Sequence, residues 1–219
     1  MSQPLYAMYG ASRYGREVMP LARKQLEVPG VPADRLIFVD DVAEAHTLNG
    51  HGVLTYDQFL AMEASDRFVA LAVANSEIRA TLAAKCDKDG VRPWSIQALN
   101  SVVLDSVQIG HGVILNPFVT LTSNICIGRH FHANIYSYVG HDCDIGDFVT
   151  FAPGVHCNGN VTVEDYAYVG TGAILRNGQP HKRLIIGRGA VVGMGAVVTK
   201  DVAAGVTGVG NPARPLPKP

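Results

Sequence analysis

Two consecutive residues near the middle of the chain, His141 and Asp142 in the segment VGHDC, have side chains suited to proton transfer. An imidazole accepts and releases protons near neutral pH, and a neighbouring carboxylate can fix its tautomer through a hydrogen bond. The sequence therefore predicts a general base at His141 with Asp142 as its partner. A solvated histidine in a turn is the alternative interpretation of the same pair.

The region around this pair repeats with a period of six residues. Stepping by six from Val103 reaches thirteen apolar residues in succession, and a second series of apolar or small residues follows four positions later. Neither a helix nor a long strand has this period, so the pattern predicts a β-solenoid of short strands joined by corners. The first series is Val103, Ile109, Leu115, Leu121, Ile127, Ala133, Val139, Ile145, Phe151, Cys157, Val163, Val169 and Leu175, and glycines suited to tight corners follow it at Gly110, Gly128, Gly140, Gly146 and Gly170.

The repeat also predicts which side chains point outward. His141 comes two residues after Val139, just beyond a corner glycine, so we expect its imidazole to lie outside the solenoid. His111 has the same position in its own repeat, but no acidic residue follows it, and we expect no catalytic role for it.

Residues 176–183 interrupt the repeat and are expected to form an extruded loop close to His141. The loop is polar and basic, so it could close over a ligand or pack on a neighbouring subunit, and a plain surface insertion stays open as well. The pattern resumes at Ile186, and we expect Gly205 and the prolines beyond it to end the regular stacking.

The N-terminal part of the chain has a different pattern, in which apolar runs alternate with helical segments. We expect strands at 5–9, 36–41, 68–73 and around Trp94, with helices at 16–26, 56–64 and 76–88. This order predicts an α/β domain with a small Rossmann-like parallel sheet, which binds ligands at the carboxyl ends of its strands. We place this domain at 1–98 and the solenoid at 99–219.

Composition excludes several other classes of protein. The formal net charge of -1 and the absence of long like-charge runs argue against a nucleic-acid or anionic-membrane surface. No stretch is long and apolar enough to span a membrane and no signal peptide is evident, so we expect a cytoplasmic protein. Cys86, Cys126, Cys143 and Cys157 lack the spacing of a metal site or disulfide framework and are interpreted as buried thiols.

These segments together resemble one enzyme family. The GASRYG turn, the FVDD strand end, the segment Asn75-Ser-Glu-Ile-Arg and the hexads IGHGVI, IGRHFH and IGDFVT resemble the nucleotide-sugar acetyltransferases, which include bacillosamine-pathway N-acetyltransferases and sialic-acid O-acetyltransferases. Within this family the chain resembles the GDP-perosamine N-acetyltransferases. The resemblance implies a left-handed parallel β-helix, a homotrimer with sites between subunits, acetyl-CoA as co-substrate and no metal.

The resemblance also implies a substrate and its site residues. The acceptor would be the amine, at C4, of a nucleotide-linked amino deoxysugar used for surface polysaccharide. His141 would be the base and Asp142 its tuner. The nucleotide of the sugar would be held by Ser12, Arg13, Tyr14, Asp40, Asp41, Ala74 and Asn75, and acetyl-CoA by Thr150, Gly170, Thr171, Gly172 and Met194.

Two details concern the cofactor and the phosphates. Some relatives carry a cofactor-contacting histidine where this chain has Thr150, which leaves that contact in question. A helix N-terminus after Gly15, with Arg13 and Arg16 nearby, could receive diphosphate oxygens, and the GNPAR tail resembles one that borders the phosphates of CoA.

Three other functions remain open at this point. An O-acetyltransferase of a sialic-acid-like sugar would share the same motifs. A γ-class carbonic anhydrase has a similar fold, but the histidine spacing of its metal site is absent from the repeat region. A binding protein that kept the fold without chemistry would not need the VGHDC pair.

Overall fold

The structure, a computed structural model, describes residues 2–42 and 44–217. The chain forms two compact units, Met1–Gln97 and Ala98–Pro219. Within the described residues, no helix has both the length and the apolar character needed to cross a membrane.

The first unit contains a sheet in the order β3-β4-β2-β1-β5-β6, in which all neighbours are parallel except the β3-β4 pair. Its strands are β1 Leu5–Tyr9, β2 Leu36–Val39, β3 Thr47–Leu48, β4 His51–Leu54, β5 Arg67–Leu71 and β6 Arg92–Pro93, and β7 Ile96–Gln97 ends the unit. Its helices are α1 Arg13–Glu27, α2 Tyr56–Ala61 and α3 Ser76–Lys88, and a 3-10 turn covers Ala33–Arg35.

Burial and capping explain these elements. The central strands β1 and β2 are buried along most of their length, which is typical of parallel strands covered on both sides. Helix α1 buries Val18, Ala22 and Leu26 on one side, and Pro20 lies exposed on the other. Thr55 and Gln58 form a capping box at α2. The predicted Rossmann-like parallel sheet is therefore confirmed.

Several predicted boundaries were wrong. Helix α1 begins at Arg13 instead of after Gly15, because Ser12 is the extended N-cap residue. Strand β2 ends at Val39, so Asp40 and Asp41 lie in the following turn. The β3-β4 hairpin was missed because strands of two to four residues carry too little periodicity to be recognised.

The second unit is a parallel β-helix with three faces. The first face contains β8 Val102–Val103, β11 Thr120–Leu121, β14 Tyr138–Val139, β17 His156–Cys157, β20 Ile174–Leu175 and β23 Val197–Val198. The second contains β9 Val107–Ile109, β12 Ile125–Ile127, β15 Asp144–Ile145, β18 Val161–Val163 and β21 Leu184–Ile186. The third contains β10 Ile114–Leu115, β13 His132–Ala133, β16 Thr150–Phe151, β19 Tyr168–Val169, β22 Val191–Val192 and β24 Thr207–Val209, with β25 Arg214–Pro215 antiparallel to β24.

The strand register shows how the six-residue repeat becomes a coil. Leu121 pairs with Val139, Val139 with Cys157 and Cys157 with Leu175, so each coil takes 18 residues, or three hexads. All four side chains are buried at 0–1% exposure, which confirms the predicted inner column. Phe131 and Phe151 pack inside the same prism with ring centroids 5.2 Å apart.

The corner glycines do not have the backbone conformation expected for tight turns. Gly110 and Gly128, expected to make tight turns, do not have positive φ. A Cβ on either would lie 2.8 Å or less from backbone atoms of the next coil, so these glycines are needed for close stacking. The left-handed positions come two residues later and include His130 and Asp142.

Two further expectations were wrong. Cys126 is exposed, because it is the outward residue between Ile125 and Ile127, whereas the other three cysteines are buried. The stacking does not end at Gly205, because Thr207–Val209 still pairs with β22 and forms part of a last coil.

The burial of the inner residues of the solenoid predicts that truncating one of them lowers the stability of the fold. Phe151→Ala, at a residue with 0% exposure, leaves a cavity in a stack that cannot easily collapse, and we expect the free energy of unfolding to fall by about 3–5 kcal/mol. Urea denaturation at fixed protein concentration measures the loss. The matched control is Val191→Ala on the same face, where the side chain is 37% exposed and a change below about 1 kcal/mol is expected. Equal losses in the two variants would contradict the inner column.

Candidate active site

The residues predicted to bind a nucleotide all lie at the carboxyl edge of the sheet in the first unit. Ser12, Arg13 and Tyr14 open helix α1 after β1, Asp40 and Asp41 follow β2, and Ala74 and Asn75 connect β5 to α3. Gly10 permits this arrangement, because its φ is +108° and a Cβ there would lie 2.9 Å from the Ala72 carbonyl oxygen.

Two helices begin at this edge next to neighbouring strands. The Ser12 side chain makes no capping hydrogen bond and the first turn of α1 has no acidic residue, so its amides remain suited to an anion. The Asn75 side chain caps α3 by accepting from the amide of Ile78 at 3.0 Å. The chain runs from β1 to β2 on one side of the sheet and from β5 to β6 on the other side. Sheets of this kind bind ligands in the crevice where the direction changes, which here lies between β1 and β5.

The Asp40 carboxylate holds the turns of this edge. Its two oxygens accept from the amides of Ala11 at 2.9 Å and Val42 at 3.1 Å. The side chain therefore joins the turn after β1 to the turn after β2.

Asp41 is part of a network with two tyrosines. It accepts from the Tyr9 hydroxyl at 2.6 Å and from the Tyr56 amide at 2.8 Å, with Lys85 at 3.8 Å. Burial by itself would raise the pKa of Asp41, but these hydrogen bonds and the Lys85 charge lower that pKa below its usual value. Asp41 is thus held as a carboxylate that orders the edge.

A buried arginine at the same edge was missed by sequence reasoning. Arg79 has 0% exposure, and its guanidinium donates to the carbonyl oxygens of Val73 at 2.7 Å and Ala74 at 3.2 Å. Burial lowers the pKa of Arg79 to about 10, while the neighbouring Tyr14 opposes that change. An arginine in a helix is usually exposed, so Arg79 was noted only as the last residue of the Asn75-Ser-Glu-Ile-Arg segment, and its burial was not predicted.

His141 and Asp142 lie together at one corner of the solenoid. The Nδ1 atom of His141 is 2.7 Å from Oδ2 of Asp142, and the side chains are 54% and 45% exposed. A carboxylate only accepts hydrogen bonds, so in the neutral imidazole the contact favours the tautomer with the proton on Nδ1 and a lone pair on Nε2. The pair therefore has the geometry of a general base with an orienting carboxylate.

The backbone of Asp142 contributes to this contact. Its φ is +56°, in the left-handed region that aspartate and asparagine tolerate better than most residues. Asn160, at the equivalent position one coil higher, has the same φ of +56°. Either side chain is therefore compatible with this corner.

The interrupting loop leaves the solenoid above His141. We name the passage from the first face to the second the first corner; it contains residues 140–142, 158–160 and 176–183 in successive coils. The amide of Gly178 donates to the carbonyl oxygen of Gly159 at 2.9 Å. Arg183 is paired with Asp144 on the second face, which ties down the far end of the loop.

The residues predicted to bind acetyl-CoA lie at a different corner of the same chain. Gly170, Thr171 and Gly172 connect the third face to the first, and Met194 lies one coil above Thr171 and is 81% exposed. The amide of Gly195 donates to the Thr171 carbonyl oxygen at 2.8 Å. The structure brings these four residues together, but not with His141.

Thr150 and His111 lie apart from both groups. Thr150 is an outward residue of the third face, yet its exposure is only 4%, so its side chain is not presented to solvent in this chain. His111 lies at the corner between the second and third faces and packs edge-on against His130.

Comparison with known proteins of similar sequence and structure identifies the family of this chain. GDP-perosamine N-acetyltransferase of Escherichia coli O157:H7 is 49% identical over 212 residues, covering 97% of this chain and 96% of the relative. The chain belongs to the GDP-perosamine N-acetyltransferase family. No protein-family model matches the sequence.

Two solved structures are similar to this member of the GDP-perosamine N-acetyltransferase family over almost its whole length. WeeI from Acinetobacter baumannii AYE has a TM-score of 0.95 and 55% identity, covering 98% of this chain and 100% of WeeI. The acetyltransferase domain of PglB from Neisseria gonorrhoeae FA1090, in complex with acetyl coenzyme A, has a TM-score of 0.85 and 27% identity, covering 99% and 100%. The left-handed β-helix implied by the resemblance is confirmed.

Membership of the GDP-perosamine N-acetyltransferase family argues against the alternatives left open by the sequence. Neither a carbonic anhydrase nor a sialic-acid O-acetyltransferase is favoured by these relatives. In residues 2–42 and 44–217, no group of three or more histidine, cysteine, aspartate or glutamate side chains could hold a metal ion.

The Asp142 contact makes a prediction for activity. Asp142→Asn keeps the shape and the left-handed backbone but removes the charge that orients Nδ1, and we expect kcat to fall about 3–10-fold, less than the fall expected on loss of the base itself. Steady-state kinetics measure the change, and circular dichroism checks the fold. Asp34→Asn is the control, because Asp34 is an exposed acid in the 3-10 turn that precedes β2, at the edge of the sheet opposite the predicted nucleotide site. Unchanged kcat in Asp142→Asn would show that the carboxylate has no catalytic part.

Proposed function

We propose that this protein transfers the acetyl group of acetyl-CoA to the C4 amine of GDP-perosamine. The observation that carries the proposal is the His141–Asp142 contact of 2.7 Å in a chain that is 49% identical to a GDP-perosamine N-acetyltransferase. The acetyl-CoA complex of the PglB domain supports the choice of donor. The alternative acceptor, a sugar hydroxyl, has no comparable support.

The chemistry assigned to the corner is a direct acyl transfer. The amine nitrogen attacks the thioester carbonyl, a C–N bond forms, and the C–S bond breaks as the tetrahedral intermediate collapses. Nε2 of His141 accepts the proton that the nitrogen loses, and the CoA thiolate is the leaving group. Asp142 holds the resulting imidazolium through the Nδ1 contact.

The first unit would hold the nucleotide. The N-terminal amides of α1 and the side chains of Arg13 and Arg16 fit the negative charge of a diphosphate. Asp40 and Asp41 order the neighbouring turns, and Asn75 follows β5 at the same edge and caps α3. We propose that Ser12, Arg13, Tyr14, Asp40, Asp41, Ala74 and Asn75 form this nucleotide site.

We propose that the protein assembles into a homotrimer, and the places of the two groups of residues support this. His141 is at the first corner, whereas Gly170–Gly172 and Met194 are at the corner between the third and first faces. Both groups can serve one acetyl transfer if they come from neighbouring subunits, which closed rotational symmetry provides. We therefore propose that each active site lies between two subunits. We also propose that the enzyme works in the cytoplasm and that its product is used to make surface polysaccharide.

The substrate proposal has a direct test. Purified protein is incubated with acetyl-CoA and, separately, GDP-perosamine, a UDP-linked 4-amino sugar and a CMP-linked sialic acid, and the mass shift of an acetyl group is recorded. We expect acetylation of GDP-perosamine at the highest rate. His141→Asn is expected to lower kcat by about 10²-fold or somewhat less, because an amine with a pKa of about 8 is partly neutral already. Preference for another sugar, or wild-type turnover of His141→Asn, would contradict the proposal.

The shared site predicts recovery of activity in mixed assemblies. His141→Asn and Thr171→Trp, which obstructs the exposed groove, are each expected to lose most activity. Co-expressed in equal amounts and purified together, they should regain about a quarter of wild-type activity, since one site in four then combines intact residues from two subunits. Mixing after purification, before any exchange of subunits, is the control. A site within one subunit would regain none.

A further inference from the structure

A buried arginine lies beneath the turn that joins β5 to α3 at the ligand edge of the first unit. Arg79 has 0% exposure, whereas Ala74 and Asn75 in the turn above it are exposed. Nη1 of Arg79 donates to the carbonyl oxygens of Val73 at 2.7 Å and Ala74 at 3.2 Å. One side chain therefore draws two successive carbonyl groups of the turn toward the interior.

The direction of these carbonyl groups fixes the direction of the amides bonded to them. In a trans peptide the C=O and N–H bonds point to opposite sides of the chain, and the Val73–Ala74 and Ala74–Asn75 peptides are trans. The amides of Ala74 and Asn75 consequently point away from the guanidinium, toward the exposed side of the turn. Within residues 2–42 and 44–217, neither of these two amides donates to a protein atom.

Other hydrogen bonds hold the two ends of this turn. At the β5 end the amide of Ala72 donates to the Tyr9 carbonyl oxygen at 2.9 Å. At the α3 end the Asn75 side chain accepts from the amide of Ile78 at 3.0 Å. Between these two fixed points the carbonyl groups are held by Arg79, so this side chain sets which way the two amides face.

The guanidinium is suited to this task because it is a charged donor. Hydrogen bonds from a charged group are stronger than those between neutral groups. Burial lowers the pKa of Arg79 only to about 10, so the side chain keeps its proton at neutral pH. An apolar side chain in the same place would offer neither carbonyl oxygen a donor, and the two peptides would be free to rotate.

We infer that Arg79 is a positioning residue for the nucleotide: it turns the amides of Ala74 and Asn75 outward as a pair of donors for acceptor atoms of the nucleotide. The inference rests on the proposed function, in which Ala74 and Asn75 belong to the nucleotide site. It assigns to Arg79 no contact with the substrate and no part in the transfer of the acetyl group.

Arg79→Met is the direct test, because methionine keeps an unbranched side chain and removes both hydrogen bonds. Losing one donor of ordinary strength weakens binding by up to about tenfold. We therefore expect Kd for GDP, measured by isothermal titration calorimetry, and KM for GDP-perosamine to rise about tenfold. The control is Lys88→Met, which removes an exposed positive charge from the last turn of the same helix and should bind GDP as the wild type does.

The kinetic constants separate positioning from general damage. A partly unfolded enzyme loses kcat, whereas a misplaced pair of donors raises KM for one substrate only. In Arg79→Met we expect kcat and KM for acetyl-CoA to change less than about threefold. Arg79→Lys keeps the charge as a compact donor, so its Kd for GDP should lie between those of the wild type and Arg79→Met. Wild-type Kd in Arg79→Met, or equal changes in kcat and both KM values, would overturn the inference.

A second pair of variants examines one of the amides while Arg79 stays in place. The φ of Asn75 is −68°, which proline adopts, so Asn75→Pro removes the N–H without changing this angle. Asn75→Ala is the matched comparison, because both variants lose the side-chain cap of α3 and only alanine keeps the N–H. Asn75→Pro should bind GDP about fivefold more weakly than Asn75→Ala. Equal affinities would overturn the inference even where Arg79→Met folds poorly.

Guanosine in place of GDP shows which acceptor atoms the amides bind. A loss of affinity in Arg79→Met for GDP alone places these atoms on the diphosphate, and an equal loss for guanosine places them on the base or ribose. Either result supports the inference. If the wild type does not bind GDP, the proposed substrate is wrong and the inference falls with it. If the wild type binds GDP and the variants bind it equally well, the inference alone is wrong.

Discussion

Parallel pairing between residues 18 positions apart is the constraint on which the second unit depends. Once one coil lies directly on another, at the strand spacing of about 4.8 Å, every residue has a fixed neighbour above and below it. Inward positions must then be apolar along the whole stack, as the buried column from Leu121 to Leu175 shows. Corner positions must fit the backbone of the next coil, and for this reason glycine recurs there.

The same stacking makes the first corner a rigid place for chemistry. The carbonyl oxygen of His141 accepts a hydrogen bond from the Asn160 amide of the next coil, which holds the main chain at this corner. Asp142 adds a contact at Nδ1 from a left-handed backbone position. Cys143, buried directly inside the corner, lies with its sulfur 3.2 Å from the Asn158 carbonyl oxygen and packs the corner from within. General base catalysis benefits from such a fixed direction of the lone pair.

The first unit orders its site by a different physical means. Its ligand edge is made of turns, and the charges of Asp40, Asp41 and Arg79 hold these turns by hydrogen bonds to backbone atoms. A charged group that bonds to the main chain can order a turn without any regular element. Substitutions at these residues would therefore affect both the shape of the edge and any contact that they make with a nucleotide.

Much of the fold followed from the sequence, because period and apolarity are local properties. The hexads located the solenoid, its inner column and the outward direction of His141, and alternating strands and helices located the Rossmann-like sheet. The adjacency of His141 and Asp142 likewise needed no structure. The start of α1 at Arg13, the short β3-β4 hairpin and the exposure of Cys126 were misjudged, since each depends on one or two residues whose local signal is weak.

Only the tertiary structure decided which residues of different coils and turns touch. The sequence contained Gly159 and Arg79, but it did not show that the His141 imidazole lies 2.5 Å from where a Cβ on Gly159 would be. The Arg79 guanidinium is seen to order a turn only when it is buried beneath that turn. The tertiary structure likewise put His141 and the Gly170–Gly172 segment at separate corners. The physical reason is that periodicity along the chain specifies which way a side chain points, whereas contact depends on how distant segments stack in space.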